Sequence, residues 1–184
     1  MRYNVADLLM RPTGTSRTVD IDDRLDVDVD GMALVAPVTG RLRLVRDHAG
    51  ILVQGQLSTE VELECARCLA PARVPVAFEL VEHFRPTIDL PEGPPILRDP
   101  DEEDEAATEI DAHHVLDLSA VIEQTLVLNL PLHALCRPDC KGLCPTCGHD
   151  LNDGPCGCRG DTDPRWDALR ALLAEPSGPE GSDR

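Results

Sequence analysis

From about residue 17 to residue 84, apolar and polar side chains alternate. Leu57, Thr59, Val61, Leu63 and Cys65 fall on one face of an extended chain, and Ser58, Glu60, Glu62 and Glu64 on the other. After a turn, Ala72, Val74, Val76, Phe78 and Leu80 resume the pattern. A period of two with one polar face marks half-buried antiparallel strands joined by hairpins. It predicts strands near 32–39, 41–48, 51–65 and 72–85, arranged as a meander or a small open barrel. Helical spacing appears further on. Leu118, Val121, Ile122, Thr125 and Leu126 predict a helix over 117–129, with Asp117 or Ser119 as its cap and Pro131 beyond its end. Pro164 suits the first turn of a second helix over 164–174, whose apolar side is Trp166, Leu169, Leu172 and Leu173. Residues 5–10 predict a single helical turn.

The fold class is therefore α+β: an antiparallel strand-rich sheet or small open barrel, a C-terminal helix and a small cysteine-rich metal-binding module. The expected organisation is a β-rich region at 1–85, an acidic loop at 86–107 and a helix packing on the sheet within 108–132. A cysteine-rich zinc-binding module at 133–160, a C-terminal helix at 161–175 and a disordered tail at 176–184 follow.

Composition changes this picture in two ways. With 184 residues the chain can bury one real core, and with only 2% aromatic residues that core must be built from Val, Leu, Ile and Ala. The formal charge is −17, and it is uneven: ten carboxylates and one arginine, Arg98, lie between Asp89 and Asp111. Asp101, Glu102, Glu103, Asp104 and Glu105 form its densest part. Such a run reads as a solvated loop or as a contact for a basic partner. So negative a balance opposes binding to nucleic acid, whose affinity for proteins rests largely on basic residues. The first residues carry no apolar segment with a cleavage site, and no run approaches the length of a membrane span, so a cytoplasmic protein is expected. Cysteines in a reducing compartment point to metal or redox chemistry before disulfides.

Six of the eight cysteines, Cys136, Cys140, Cys144, Cys147, Cys156 and Cys158, fall within 23 residues. Cys144 and Cys147, two apart and followed by Gly148, form half of a tetrahedral site. The other half comes from Cys136 and Cys140, from Cys156 and Cys158, or from one of each, and spacing does not choose among them. Clustered thiolates favour a closed, structural Zn2+ site, which would help fold a segment with almost no core of its own. An iron–sulfur cluster and two zinc ions sharing six thiolates are the rivals. Cys140, Cys144 and Cys147 also spell the C-x3-C-x2-C of radical SAM enzymes, but only 37 residues follow Cys147 here. His133 and His149 read as surface histidines, with ligation the alternative. The remaining cysteines, Cys65 and Cys68, sit at a predicted hairpin tip. They read as half-buried thiols, a second metal half-site or a redox pair. No phosphate loop, G-x-S-x-G or H-E-x-x-H is present, so the chain reads as a binding protein and not an enzyme.

The strings ECARCLAP and LCRPDCKGLCPTCGHDLNDGPCGC, with the alternating strands, the acidic stretch and the helix leading into LNLP, resemble the YceD family over roughly residues 5–175. These are the large ribosomal RNA subunit accumulation proteins. The resemblance implies a cytoplasmic bacterial factor for the synthesis, processing or stability of 23S rRNA, and so for large-subunit assembly, with no established enzymatic activity. The family's genes commonly lie beside that of ribosomal protein L32. Cys65, Arg67 and Cys68 match its N-terminal motif, and the six clustered cysteines its C-terminal one. Since some members lack most of the second cluster, that module is expected to stabilise the fold or tune a partner contact.

Two mechanisms compete for an acidic protein that serves rRNA. In the first, the 89–111 run screens a basic ribosomal protein such as L32 until rRNA displaces it. In the second, a local basic surface of Arg41, Arg43, Arg46, Arg67 and Arg73 binds the large-subunit precursor or its 23S rRNA directly. Charge favours the first. An rRNA-processing enzyme is the third reading.

Overall fold

The computed structural model describes residues 1–25, 27, 29, 31–87, 108–158, 164–166 and 169. The densest acidic residues, Asp101 to Glu105, and the tail from 176 lie outside them, as does the helix expected over 164–174 apart from a 3-10 turn at Pro164–Trp166 and Leu169. The chain divides into two units, Met1–Cys140 and Lys141–Arg184. The boundary falls inside the segment 133–160.

The first unit is mostly sheet, curled into a half-barrel. Its elements are β1 (Arg2–Asn4), α1 (Ala6–Leu9), β2 (Ser16–Asp23), β3 (Met32–Leu34), β4 (Val38–Arg46), β5 (Ile51–Glu64), β6 (Pro71–Pro86), β7 (Glu109–Ile110), β8 (Val115–Asp117) and α2 (Ser119–Leu128). The sheet order is β1-β8-β7-β6-β5-β4-β2, with β3 also paired to β5. All pairs are antiparallel except β6 with β7. No helix among the described residues is long and apolar enough to cross a membrane.

Burial follows the alternation. Ile51, Val53, Leu57 and Val61 of β5 and Val76, Phe78, Leu80 and Phe84 of β6 fill the inner face together with Leu42 and Leu44 of β4. Val121, Ile122 and Leu126 turn α2 onto β6. Thr59 joins this face because its hydroxyl donates to the Ala36 carbonyl at 3.0 Å. Two glycines on neighbouring strands let backbones come close: a Cβ at Gly40 would stand 2.2 Å from the Gln56 carbonyl oxygen, and one at Gly55 2.2 Å from that of Arg41. Only glycine admits so close an approach of two backbones within a sheet. The break between β3 and β4 comes instead at Ala36–Pro37, so the strand expected over 32–39 ends at Leu34 and the next begins at Val38.

Arg46 belongs to the core. It is 7% exposed, and its guanidinium donates to the carbonyls of Leu9 (3.2 Å), Gly50 (3.2 Å) and Asp47. These bonds tie α1 to the β4–β5 turn. The Arg46 expected on a basic surface is thus a structural residue: next after the outward Val45, it falls with Leu42 and Leu44 on the inner face of the strand, where its charge needs carbonyl acceptors.

Candidate metal centres

The turn between β5 and β6 is built as a knuckle. The Cys65 amide donates to the Ala70 carbonyl at 2.9 Å, and the Leu69 amide donates back to the Cys65 carbonyl at 3.0 Å. Leu69 has a φ of 61°, the left-handed region that a Cβ disfavours. A second turn repeats these bonds: Cys144 N–H to the His149 carbonyl at 2.8 Å, and Gly148 N–H to the Cys144 carbonyl at 2.9 Å, with Gly148 at φ 72°. The two C-x-x-C pairs therefore stand on the same backbone device. Sequence reasoning recognised it at Gly148 and missed it at Leu69, where the glycine signal is absent.

Each knuckle gathers a second pair of thiols. Cys65, Cys68, Cys136 and Cys140 form one group and Cys144, Cys147, Cys156 and Cys158 the other; within each, all sulfurs lie within 4.8 Å of one another. In the first, Cys65 Sγ is 3.9 Å from Cys140 Sγ and Cys68 Sγ is 3.6 Å from Cys136 Sγ. Four sulfurs at a metal–sulfur distance of about 2.3 Å in a tetrahedron stand about 3.8 Å apart. The spacing fits one ion held by four thiolates, and it is far too long for a disulfide.

The first centre is fastened to the sheet. The Ala66 amide donates to the Ala134 carbonyl at 2.8 Å, and Arg67 Nη1 donates to the Cys140 carbonyl at 2.7 Å, so both Ala66 and Arg67 of the hairpin tip hold the returning chain. Cys65, Cys68 and Cys140 are buried there. The second centre is self-contained within Lys141–Cys158. Leu143 bridges Asp150, the Leu151 amide donates to the Gly142 carbonyl at 2.9 Å, and the Lys141 amide donates to Asn152 Oδ1 at 2.8 Å. Of its cysteines only Cys144 is buried, and Cys147 and Cys158 are exposed.

Electrostatics within the two centres run in parallel. Backbone N–H groups of Cys136, Arg67 and Cys68 lower the Cys65 thiol to about 6. Those of Cys147 and Thr146, with the Cys156 side chain, lower Cys144 to about 6. In return Cys136 is raised to about 12, by burial and by its thiol neighbours, and Cys158 to about 12, by Cys147 first and then by burial. One sulfur in each group ionises readily while another is held protonated, Cys136 by burial first and Cys158 by Cys147 first. A bound dication removes that conflict and draws all four into the thiolate form.

This grouping divides the six clustered cysteines between the centres. Cys144 and Cys147 are completed by Cys156 and Cys158, while Cys136 and Cys140 join Cys65 and Cys68. The C-x3-C-x2-C triplet is split, since Cys140 stands in one group and Cys144 and Cys147 in the other. Neither His133 nor His149 enters a group. Among the arginines singled out in the sequence, Arg41 is bonded to Asp20 at 2.7 Å and Arg73 to Glu62 at 3.2 Å. Arg67 serves the first centre and Arg46 the core. Arg43 is exposed on the outer face of β4, opposite Thr18 and Gln54.

A mostly antiparallel, curled sheet with one all-cysteine quartet at a hairpin tip, and a second quartet in the unit that follows, each able to hold a metal ion, defines the class. The chain belongs to the YceD family: the family model described as "Large ribosomal RNA subunit accumulation protein YceD" matches residues 53–173. Uncharacterized proteins of Mycobacterium tuberculosis and Mycobacterium bovis are 36% identical over 183 residues, covering 98% of this chain and 83% of theirs. A Zea mays protein named "Large ribosomal RNA subunit accumulation protein YCED homolog 1, chloroplastic" is 28% identical over 153 residues, covering 72% of this chain and 52% of its own length. No solved structure matches the chain.

Proposed function

We propose that the chain supports accumulation of large-subunit 23S rRNA as a non-enzymatic assembly factor, and that it does so by holding a basic ribosomal protein, L32 being the first to test. The observation that carries this reading is the state of its cations. The chain bears −17 in formal charge, and four of the five arginines that could have made an RNA surface are already engaged: Arg41 and Arg73 by carboxylates, Arg67 by the Cys140 carbonyl and Arg46 by three carbonyls. Phosphate contacts need cations that are not neutralised. The acidic stretch 89–111, with Asp101, Glu102, Glu103, Asp104 and Glu105, supplies the opposite charge for a lysine- and arginine-rich protein. The two cysteine centres hold structural Zn2+, since four thiolates leave no open position for chemistry and suit that ion.

The test is equilibrium binding of the full chain to purified L32 and to a 23S rRNA fragment, over a salt series. Removing 89–111 is expected to abolish the L32 complex, which otherwise weakens as salt rises. The reading fails if that deletion leaves L32 binding unchanged. It also fails if the rRNA fragment binds more tightly than L32 and Arg43→Glu releases it, which would make the chain a direct RNA binder.

A further inference from the structure

The sheet is open, and its two ends are β1 and β2. Which backbone groups these strands turn outward follows from the bonds beside them. The Arg46 amide donates to the Thr15 carbonyl at 2.8 Å. Odd-numbered residues of β2 therefore direct N–H and C=O toward β4, and Ser16, Thr18, Asp20 and Asp22 direct theirs away from it. Likewise the Leu118 amide bonds the Met1 carbonyl and the Val5 amide bonds that of His114, both at 2.9 Å, so Arg2 and Asn4 turn outward from β8. Among the described residues, the outward groups of β2 have no main-chain partner.

The two free edges face each other. Arg17, on the inner face of β2, donates through Nη2 to the outward carbonyl of Asn4 at 3.3 Å. Among the described residues this is the one hydrogen bond between β2 and β1. Arg17 Nε, shut off from water, has no acceptor there, and an unmet buried donor is costly.

Carboxylates outnumber cations along this edge. Asp20 and Asp22 lie on the outer face of β2, Asp20 bonded to Arg41 at 2.7 Å, and Asp23 lies on the inner face; between residues 20 and 30 the sequence holds six aspartates against one arginine, Arg24. Charge on an edge strand ordinarily discourages pairing. Here the excess of carboxylates, Asp22 foremost since Asp20 already holds Arg41, disfavours a second copy of the same strand and attracts a basic one.

We propose that the free edge of β2 takes up an extended, lysine- and arginine-rich polypeptide segment as an added strand, its main chain paired with Ser16, Thr18, Asp20 and Asp22 and its basic side chains beside Asp20 and Asp22. The inference rests on the basic-partner reading above and names where such a partner is held. Main-chain pairing supplies affinity without demanding one sequence, and the aspartates select for charge.

The probe is an acetylated and amidated fluorescent peptide alternating lysine and valine, titrated into the full chain. Hydrogen exchange is expected to slow at the amides of Ser16, Thr18, Asp20 and Asp22, while those of Arg17, Val19 and Ile21 are slow already. Thr18→Pro deletes an outward N–H and no bond to β4, so it should weaken the peptide by about tenfold or more at an unchanged melting temperature. A peptide N-methylated at alternate amides should lose affinity equally for the unaltered protein, which decides the matter if Thr18→Pro fails to fold. Equal binding of the N-methylated and parent peptides, or protection at sites other than β2, would overturn the edge site. If both peptides bind alike and Asp20→Asn with Asp22→Asn weakens both, contact is by charge alone and the basic-partner reading survives without the added strand. Binding of neither the peptide nor intact L32 at low salt would remove both.

Discussion

Cysteine-to-alanine changes at the two centres should have unequal effects on the sheet. Cys65 and Cys140 are 75 residues apart in sequence, and a metal shared by them closes a loop of that size. By loop-closure entropy, such a clasp restrains the unfolded chain by about 4 kcal/mol. The unit Met1–Cys140 unfolds with an entropy of about 0.3 kcal/mol/K, at the usual value per residue. Cys140→Ala should then lower the melting temperature of the sheet by roughly 14 °C. Cys158→Ala opens only a local loop in the other unit and should leave the sheet's transition in place. Far-UV circular dichroism of the zinc-saturated proteins follows that transition directly. Equal losses from the two variants would refute the assignment of separate centres. An unchanged melting temperature for Cys140→Ala would refute the clasp.

Three further expectations follow from the same geometry. A graded chelator should take metal first from Cys144, Cys147, Cys156 and Cys158, two of which are exposed, so elemental analysis should pass through one ion per chain with the sheet intact; a single concerted loss would contradict this. Leu69→Gly should raise the unfolding free energy, read from denaturant titration, by about 0.5–1 kcal/mol, since Leu69 is 59% exposed and held at positive φ. The Asp117 carboxyl is held well below the usual range: burial opposes its ionisation, but Arg2, the Ser119 amide and hydroxyl and the N-terminal ammonium outweigh it. Its stabilisation is therefore present above about pH 4, the unfolded value, and is lost as pH falls toward the lower folded one. Asp117→Asn should cost about 1 kcal/mol at neutral pH, discounted for its partly open position, and the two proteins' stabilities should converge in acid.

Local pattern was enough for the long hairpin. Alternation over 51–65 and 72–85 reproduces β5 and β6 almost to the residue, because one face is core and the other water. It was not enough where the determinant is distant. The three-residue strand β1 exists because Arg2–Asn4 meets Val115–Asp117, more than a hundred residues away, and three residues carry no readable period. Gly40 falls between the strands expected at 32–39 and 41–48 but lies within β4, where it lets Gln56 approach. Among the cysteines, the pairing of Cys144 and Cys147 with a later pair was one of the open choices. The membership of Cys136 and Cys140 was not legible, because six thiols close in sequence conceal that two of them return to a hairpin tip.

The 75-residue interval between Cys65 and Cys140 also sets an order in time. A ribosome adding about 5–20 residues per second delivers the last ligand of the sheet-bound centre about 4–15 s after the first. The second centre, from Cys144 to Cys158, is complete within about 1–3 s of its first cysteine. During the longer wait a metal ion at this centre would have only Cys65 and Cys68 to hold it. Metal loading of this chain would therefore be slowest to complete at the sheet-bound quartet, with the second quartet gaining its last thiol only at residue 158.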